Sequence, residues 1–177
     1  MLLLLGHYEN FPNTIHGIAR FTYRVQQKKI QQAIISAFHQ LNLEKRKLEE
    51  ITFSSPNCEL SFELGVGEDD VFTFLDKNEV DILDSAVAKK RLTFLDFLCI
   101  LKYHVVNSVM KRTPLKFDYY LLRFAFSKNY MELLICHERG PRHVQVEAIM
   151  DFLTNHIRNE LAERYSITFK LQSVWTV

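Results

Sequence analysis

Glycine and proline are scarce in this sequence, with only 5 Gly and 4 Pro among 177 residues. Flexible linkers depend on such residues, so few segments are available to separate two domains. A chain of this length also suits one domain, and it can bury a core without disulfides or metals. The sequence therefore predicts a single domain over residues 1–177.

Paired cysteines are also lacking. The three cysteines, Cys58, Cys99 and Cys136, are odd in number and far apart, and no C-x-x-C pair occurs. This pattern argues against a disulfide framework and indicates free thiols in a reducing compartment. We therefore expect a cytoplasmic protein.

Spacings typical of metal sites are missing among the seven histidines, because neither H-x-x-x-H nor H-E-x-x-H occurs. Cys136, His137 and His143 are possible soft ligands. Adjacent residues on a strand point to opposite faces, however, so Cys136 and His137 do not easily share one ion. No G-x-S-x-G motif or cysteine-nucleophile signature occurs either. We predict no metal and no cofactor.

A large excess of one charge is absent, since the formal net charge is +1. This balance argues against a protein that simply coats a polyanion. Short basic runs occur at residues 28–29, 45–47, 89–91 and 111–112. Most lie near predicted helix ends, where Lys and Arg are favourable. The alternative is that they contact phosphates.

No apolar run has the length and composition of a membrane span. The apolar start, residues 1–6, is short and lacks a basic flank, so a buried first strand is expected there instead of a signal peptide. Residues 92–110 are longer but carry Asp96, Lys102 and His104, whose charges are costly in a bilayer. We expect no membrane association.

Hydrophobic periodicity predicts a mixture of strands and helices. Strands are predicted at residues 15–25, 51–53, 60–64, 71–75, 117–126, 130–137 and 167–175, and main helices at 30–41, 92–110 and 146–161. Residues 76–91 fit a short helix or an ordered loop. The order is roughly β-α-β-β-β-α-β-β-α-β. This order predicts an α+β fold in which about three main helices pack on an antiparallel or mixed sheet.

The apolar stretch at residues 92–110 also favours self-association. Apolar residues surround almost the whole circumference of the predicted helix, which indicates a central helix covered on several sides. Such a helix is hard to cover within one modest domain. Together with abundant aromatics and several potential edge strands, it predicts a homodimer. The alternative is that all of these residues form the core of a monomer.

The strongest candidate binding site is a polar segment between a predicted strand and a predicted helix. Its members are His137, Glu138, Arg139, Gly140, Arg142 and His143. Helix N-termini bind anions through free N–H groups, glycine allows close backbone approach, and arginine grips carboxylates or phosphates. The segment predicts a site for an anionic ligand or protein partner. The alternative is a solvated loop whose arginines pair with Glu138 or Glu147.

Two other functions compete with the binding and assembly hypothesis. A small enzyme would use His137 or His143 as acid or base beside Glu138. A nucleic-acid-binding protein would use a basic sheet face with Arg20, Arg24 and Lys170, provided that the first and last strands are neighbours. Non-enzymatic binding and assembly is the function that the sequence favours.

Overall fold

The computed structural model describes residues 5–47 and 58–177. The strands are β1 (Gly17–Thr22), β2 (Lys45–Lys47), β3 (Cys58–Glu68), β4 (Val71–Phe74), β5 (Phe94–Val106), β6 (Arg112–Pro114), β7 (Asp118–Phe126), β8 (Tyr130–Arg139) and β9 (Lys170–Thr176). The helices are α1 (Gln27–Leu43), α2 (Lys77–Lys89) and α3 (Val146–Tyr165). The predicted α+β class is confirmed, and the order of elements broadly matches the prediction.

All pairings between these strands are antiparallel. The main path across the sheet is β2-β3-β5-β7-β8-β1-β9, and β4 and β6 pair with β3 and β5 beside it. The first strand therefore lies between β8 and the last strand. As a result, β9 forms one edge of the sheet.

The core lies between the sheet and the helices, on what we call the inner face. Helix α1 presents the apolar stripe predicted from its periodicity, and its central Phe38 packs against Phe97 of β5 and Phe124 of β7 at ring-centroid distances of 4.7 and 5.7 Å. Helix α3 packs on the same face, where Phe152 stacks on Phe62 of β3. The buried residues form one continuous apolar cluster.

The prediction of a helix at residues 92–110 is wrong. Residues 94–106 form β5, which is hydrogen-bonded to β3 on one side and β7 on the other. A strand in the middle of a sheet with many buried positions is apolar along most of its length, as a buried helix also is. The homodimer was predicted partly because a helix apolar on all sides would need a partner to cover it. That argument no longer applies, because residues 94–106 are not a helix.

The second main helix lies earlier in the chain, at α2, in the stretch predicted as a short helix or an ordered loop. Its N-cap is Asp76, whose carboxylate accepts a hydrogen bond from the N–H of Glu79. The β3–β4 and β7–β8 pairs form the expected hairpins. The strand predicted at residues 51–53 lies outside the described part of the chain, as do residues 1–4 of the strand predicted at residues 1–6. Within the described residues of that predicted strand, Leu5 forms an isolated bridge with Glu68.

The segment before β1, residues 5–16, crosses the opposite, outer face of the sheet. There the fully buried Asp96 of β5 forms a bidentate ion pair with Arg123 of β7, at 2.8 and 2.7 Å. The Tyr8 N–H donates to Asp96, and the Tyr8 carbonyl accepts from Arg123. The guanidinium also lies 4.4 Å from the ring centroids of both Phe11 and Phe94. This buried pair fastens the segment to the sheet.

Candidate functional site

The predicted binding segment is a connection between β8 and α3 that folds around one buried carboxylate. His137, Glu138 and Arg139 form the end of β8, and the chain then turns through Gly140 and Arg142, both at positive φ. A bulge between Tyr119 and Tyr120 of β7 places His137 opposite Tyr120. Asp118, the first residue of β7, is brought into contact with the segment in this way.

Asp118 is fully buried and accepts four hydrogen bonds. Two come from side chains, the Tyr103 hydroxyl at 2.7 Å and Nε2 of His137 at 2.9 Å. Two come from the backbone N–H groups of Arg142 and His143, at 2.6 and 3.0 Å. Because an ionised carboxylate only accepts, Nε2 of His137 is the donor in its bond. The four donors satisfy a charge that would otherwise be costly to bury.

Gly140 allows this arrangement because its φ of +114° is unfavourable for other residues. A Cβ atom at this position would overlap the Phe117 carbonyl oxygen and the Asp118 carboxylate. The glycine that the sequence suggested for approach to a ligand instead permits approach to the protein's own aspartate.

The pKa shifts of Asp118, Tyr103 and His16 follow from burial and from the contacts within this cluster. Burial alone would raise the pKa of Asp118, but the hydrogen bonds from Tyr103, His137 and the two N–H groups outweigh burial and lower it. Burial and the neighbouring carboxylate raise the pKa of Tyr103, so its hydroxyl remains a donor. Burial, then the charges of Arg142 and His137, lower the pKa of His16, so its Nδ1 stays available to accept from the His137 N–H at 2.9 Å.

Two backbone N–H groups of the predicted segment therefore hold an internal anion. They belong to Arg142 and His143, which precede α3, and both donate to Asp118. Comparison of the chain with protein-family models, curated proteins and solved structures finds no match. The role of the segment must accordingly be inferred from its own geometry.

The remaining predicted residues have separate partners. The Arg139 guanidinium lies 4.0 Å from the Tyr119 ring centroid, whereas that of Arg142 donates to the Val177 carbonyl at 3.0 Å. The imidazole of His143 packs edge-on against the Tyr103 ring. The carboxylate of Glu138 lies 3.9 Å from the Cys136 thiol. The carboxylate that contacts the His137 ring is instead that of Asp118. An acid–base role for His137 would therefore depend on Asp118, which the sequence did not suggest.

The hypothesis of nucleic-acid binding required the first and last strands to be neighbours, and this requirement is met. Strands β1 and β9 pair antiparallel, with Thr22 opposite Lys170. Arg20, however, forms an ion pair with Glu132 at 3.2 Å and lies over the Tyr130 ring. Arg24 and Lys170 are exposed. Nucleic-acid binding stays a prediction, with one of its three cations already paired.

The free edge at β9 is a feature that the sequence did not locate. In residues 5–47 and 58–177, no strand pairs with the side of β9 that faces away from β1. Large apolar side chains are exposed along it, including Leu171, Val174 and Trp175, the last at 51%. Unpaired strands with apolar side chains are sites of association.

Groups of metal-ligating side chains and membrane-spanning helices are both absent from residues 5–47 and 58–177. No group of three or more His, Cys, Asp and Glu side chains there is arranged to hold a metal ion. No helix there is long and apolar enough to span a membrane.

The three thiols are expected to be unreactive in the folded protein. Cys58, Cys99 and Cys136 are buried and free. Burial raises the pKa of all three, and burial with Glu138 raises that of Cys136 to about 11. Because the thiolate is the nucleophile, a thiol reagent near neutral pH will label the cysteines slowly in the native state and rapidly in denaturant. Rapid native labelling of Cys99 would contradict the burial described.

Proposed function

We propose that this protein is a non-enzymatic binding and assembly module that self-associates through strand β9. The observation that carries the proposal is the outer edge of that strand, with which no other strand of residues 5–47 and 58–177 pairs. Strand β9 begins with one charged residue, Lys170, and residues 171–176 contain no charge, no proline and no glycine. Edge strands that stay monomeric usually carry charges, prolines or bulges that prevent pairing. The bulge of β9 lies near Gln172, which leaves residues 173–176 in regular register with β1.

A second copy of the chain is the partner that this edge fits. Two antiparallel edge strands related by a two-fold axis are self-complementary, and two-fold dimers are the commonest assemblies of identical chains. Pairing would continue the sheet from one protomer into the other. It would also place the apolar side chains of the second β9 beside those that the first exposes, as cross-strand neighbours.

The direction of the backbone N–H groups identifies which of them would bind the second copy. The Val177 N–H donates to the His16 carbonyl at 2.9 Å. N–H direction alternates along an antiparallel strand, and the same register continues to Ser173. The N–H groups of Val174 and Thr176 therefore point away from β1, toward the free edge.

Replacing Val174 with proline tests this arrangement. Proline removes an N–H that does not bond to β1, so the pairing of β9 with β1 is retained. The same change prevents a second strand from pairing at the free edge. We expect the dissociation constant of the dimer to rise by about tenfold or more, as measured by sedimentation at several concentrations.

Val174→Thr is the matched control, because threonine keeps the β-branched shape and the N–H. We expect it to associate as the wild-type protein does. If proline and threonine variants associate equally, the interface lies elsewhere. Circular dichroism and urea unfolding establish that both variants are folded.

The predicted anion-binding segment is retained in the proposal as a surface contact. Its backbone donors are used by Asp118, but the side chains of Arg139 and His143 are exposed. We propose that these side chains, and not the loop N–H groups, contact an anionic partner. We also propose a cytoplasmic location, which the three free cysteines support.

A further inference from the structure

A cavity of about 640 Å³ lies between the C-terminal half of α2, the start of β5 and the segment before β1. This volume falls within the range of about 300–1,000 Å³ that small-molecule sites occupy. Its apolar wall is formed by Leu5, Ile82, Ala86, Leu92 and Phe94. Ile82 is exposed, so apolar surface is open to a ligand there.

Hydrogen bonds within the protein hold the wall of the cavity in place, so its shape does not depend on a bound ligand. The Gly6 N–H donates to the Gly67 carbonyl at 2.8 Å, and the Gly6 carbonyl accepts from the Asp96 N–H at 2.7 Å. The Gln31 side chain donates to the Leu92 carbonyl at 2.8 Å. A preformed cavity of this kind binds with a smaller ordering cost.

The rim of the cavity is cationic. Lys89, Lys90 and Arg91 follow one another at the end of α2, and all three line the cavity together with one carboxylate, Glu68. Stabilisation of the helix C-terminus accounts for Lys89, in the last turn, and for Lys90, the C-cap residue, but less for Arg91, which lies beyond the helix. The cavity thus combines an apolar wall with a net positive rim.

We propose that this cavity binds a small anionic amphiphile. The apolar chain would lie against Leu92, Phe94 and Ala86, and the anionic headgroup would lie at Lys90 and Arg91. Charge complementarity at the rim selects an anion, and the apolar wall selects a chain. His7 lies in the same wall, stacked on Phe94, and its Nδ1 has no hydrogen-bond partner among the described residues. The inference is independent of assembly through β9.

Titration of the isotope-labelled full chain with octanoate and with 1-octanol, followed by NMR, separates the two contributions. Octanoate carries both chain and charge, whereas octanol carries the chain alone. We expect octanoate to bind about tenfold more tightly than octanol, with shifts at Ala86, Leu92 and Phe94. Equal affinity for the two probes, shifts located elsewhere, or no saturable octanoate binding would each overturn the proposal.

Variants then locate the headgroup and the chain. Lys90→Gln with Arg91→Gln should weaken octanoate binding by about tenfold and leave octanol binding unchanged. Lys77→Gln is the matched control, since Lys77 lies on the same helix outside the cavity and forms an exposed pair with Asp81. Ala86→Trp, which fills the cavity, should weaken both probes. An octanoate affinity that the rim variant does not change, or that the control lowers equally, would contradict the assigned headgroup site.

Discussion

Replacing Asp118 with alanine will lower the free energy of unfolding by about 3–5 kcal/mol. The substitution removes the acceptor of four hydrogen bonds and leaves the donors of Tyr103, His137, Arg142 and His143 without their common partner. Buried donors without an acceptor carry the full cost of lost hydration. Urea unfolding measures the loss, and amide hydrogen exchange should accelerate at Arg142 and His143.

Asp151→Ala is the control for this prediction, because Asp151 is exposed on α3. A change of about 0.5 kcal/mol or less is expected for such a surface position. If Asp118→Ala also falls in that range, Asp118 does not organise the segment, and residues 137–143 should be regarded as an independent loop.

The contribution of Asp118 to the free energy of unfolding will depend on pH, and its pKa shift fixes the direction. Its folded pKa is lower than the unfolded value of about 3.9, because hydrogen bonds to the carboxylate outweigh burial. The contribution is therefore fully present above the unfolded pKa and is lost as the pH falls through the folded pKa. The stability difference between the wild-type protein and Asp118→Ala should narrow below about pH 4.

Replacing Arg123 with methionine will also cost about 3–5 kcal/mol. The change leaves Asp96 as a buried charge without its cation, and it removes the donor to the Tyr8 carbonyl. Residues 5–16 should then become accessible to proteases. Adding Asp96→Asn to this variant should recover part of the stability, since it removes the unpaired charge.

Arg20→Met is the matched control for Arg123→Met. Arg20 lies on the same sheet face, but its ion pair with Glu132 is partly exposed, with side-chain exposures of 41% and 30%. Exposed pairs contribute about 0–1 kcal/mol. Equal losses for the two arginine variants would show that burial of the Asp96–Arg123 pair does not matter to stability.

Much of the fold follows from periodicity, and the main error shows where periodicity is insufficient. In β5 the polar residues Asp96, Lys102 and His104 all lie at even positions, and the odd positions from Leu95 to Tyr103 face the core. This period of two was present in the sequence. It was obscured because Leu98 and Ile100 place apolar residues on the outer face as well.

The candidate site was less predictable because it depends on distant pairings. Asp118 is 19 residues from His137 and 15 from Tyr103, and only the pairing of β7 with β5 and β8 brings the three together. No local pattern around residues 137–143 indicates that their anion is internal. The free edge also depends on the pairing of the first strand with the last, for which the sequence has no local signal.

The proposal of self-association is tested most directly by native mass spectrometry of the untagged wild-type protein as purified. The account predicts a species of twice the chain mass of 20.9 kDa, and a smaller share of that species for Val174→Pro at the same concentration. A wild-type protein that remains at the single-chain mass at every concentration would contradict assembly through β9.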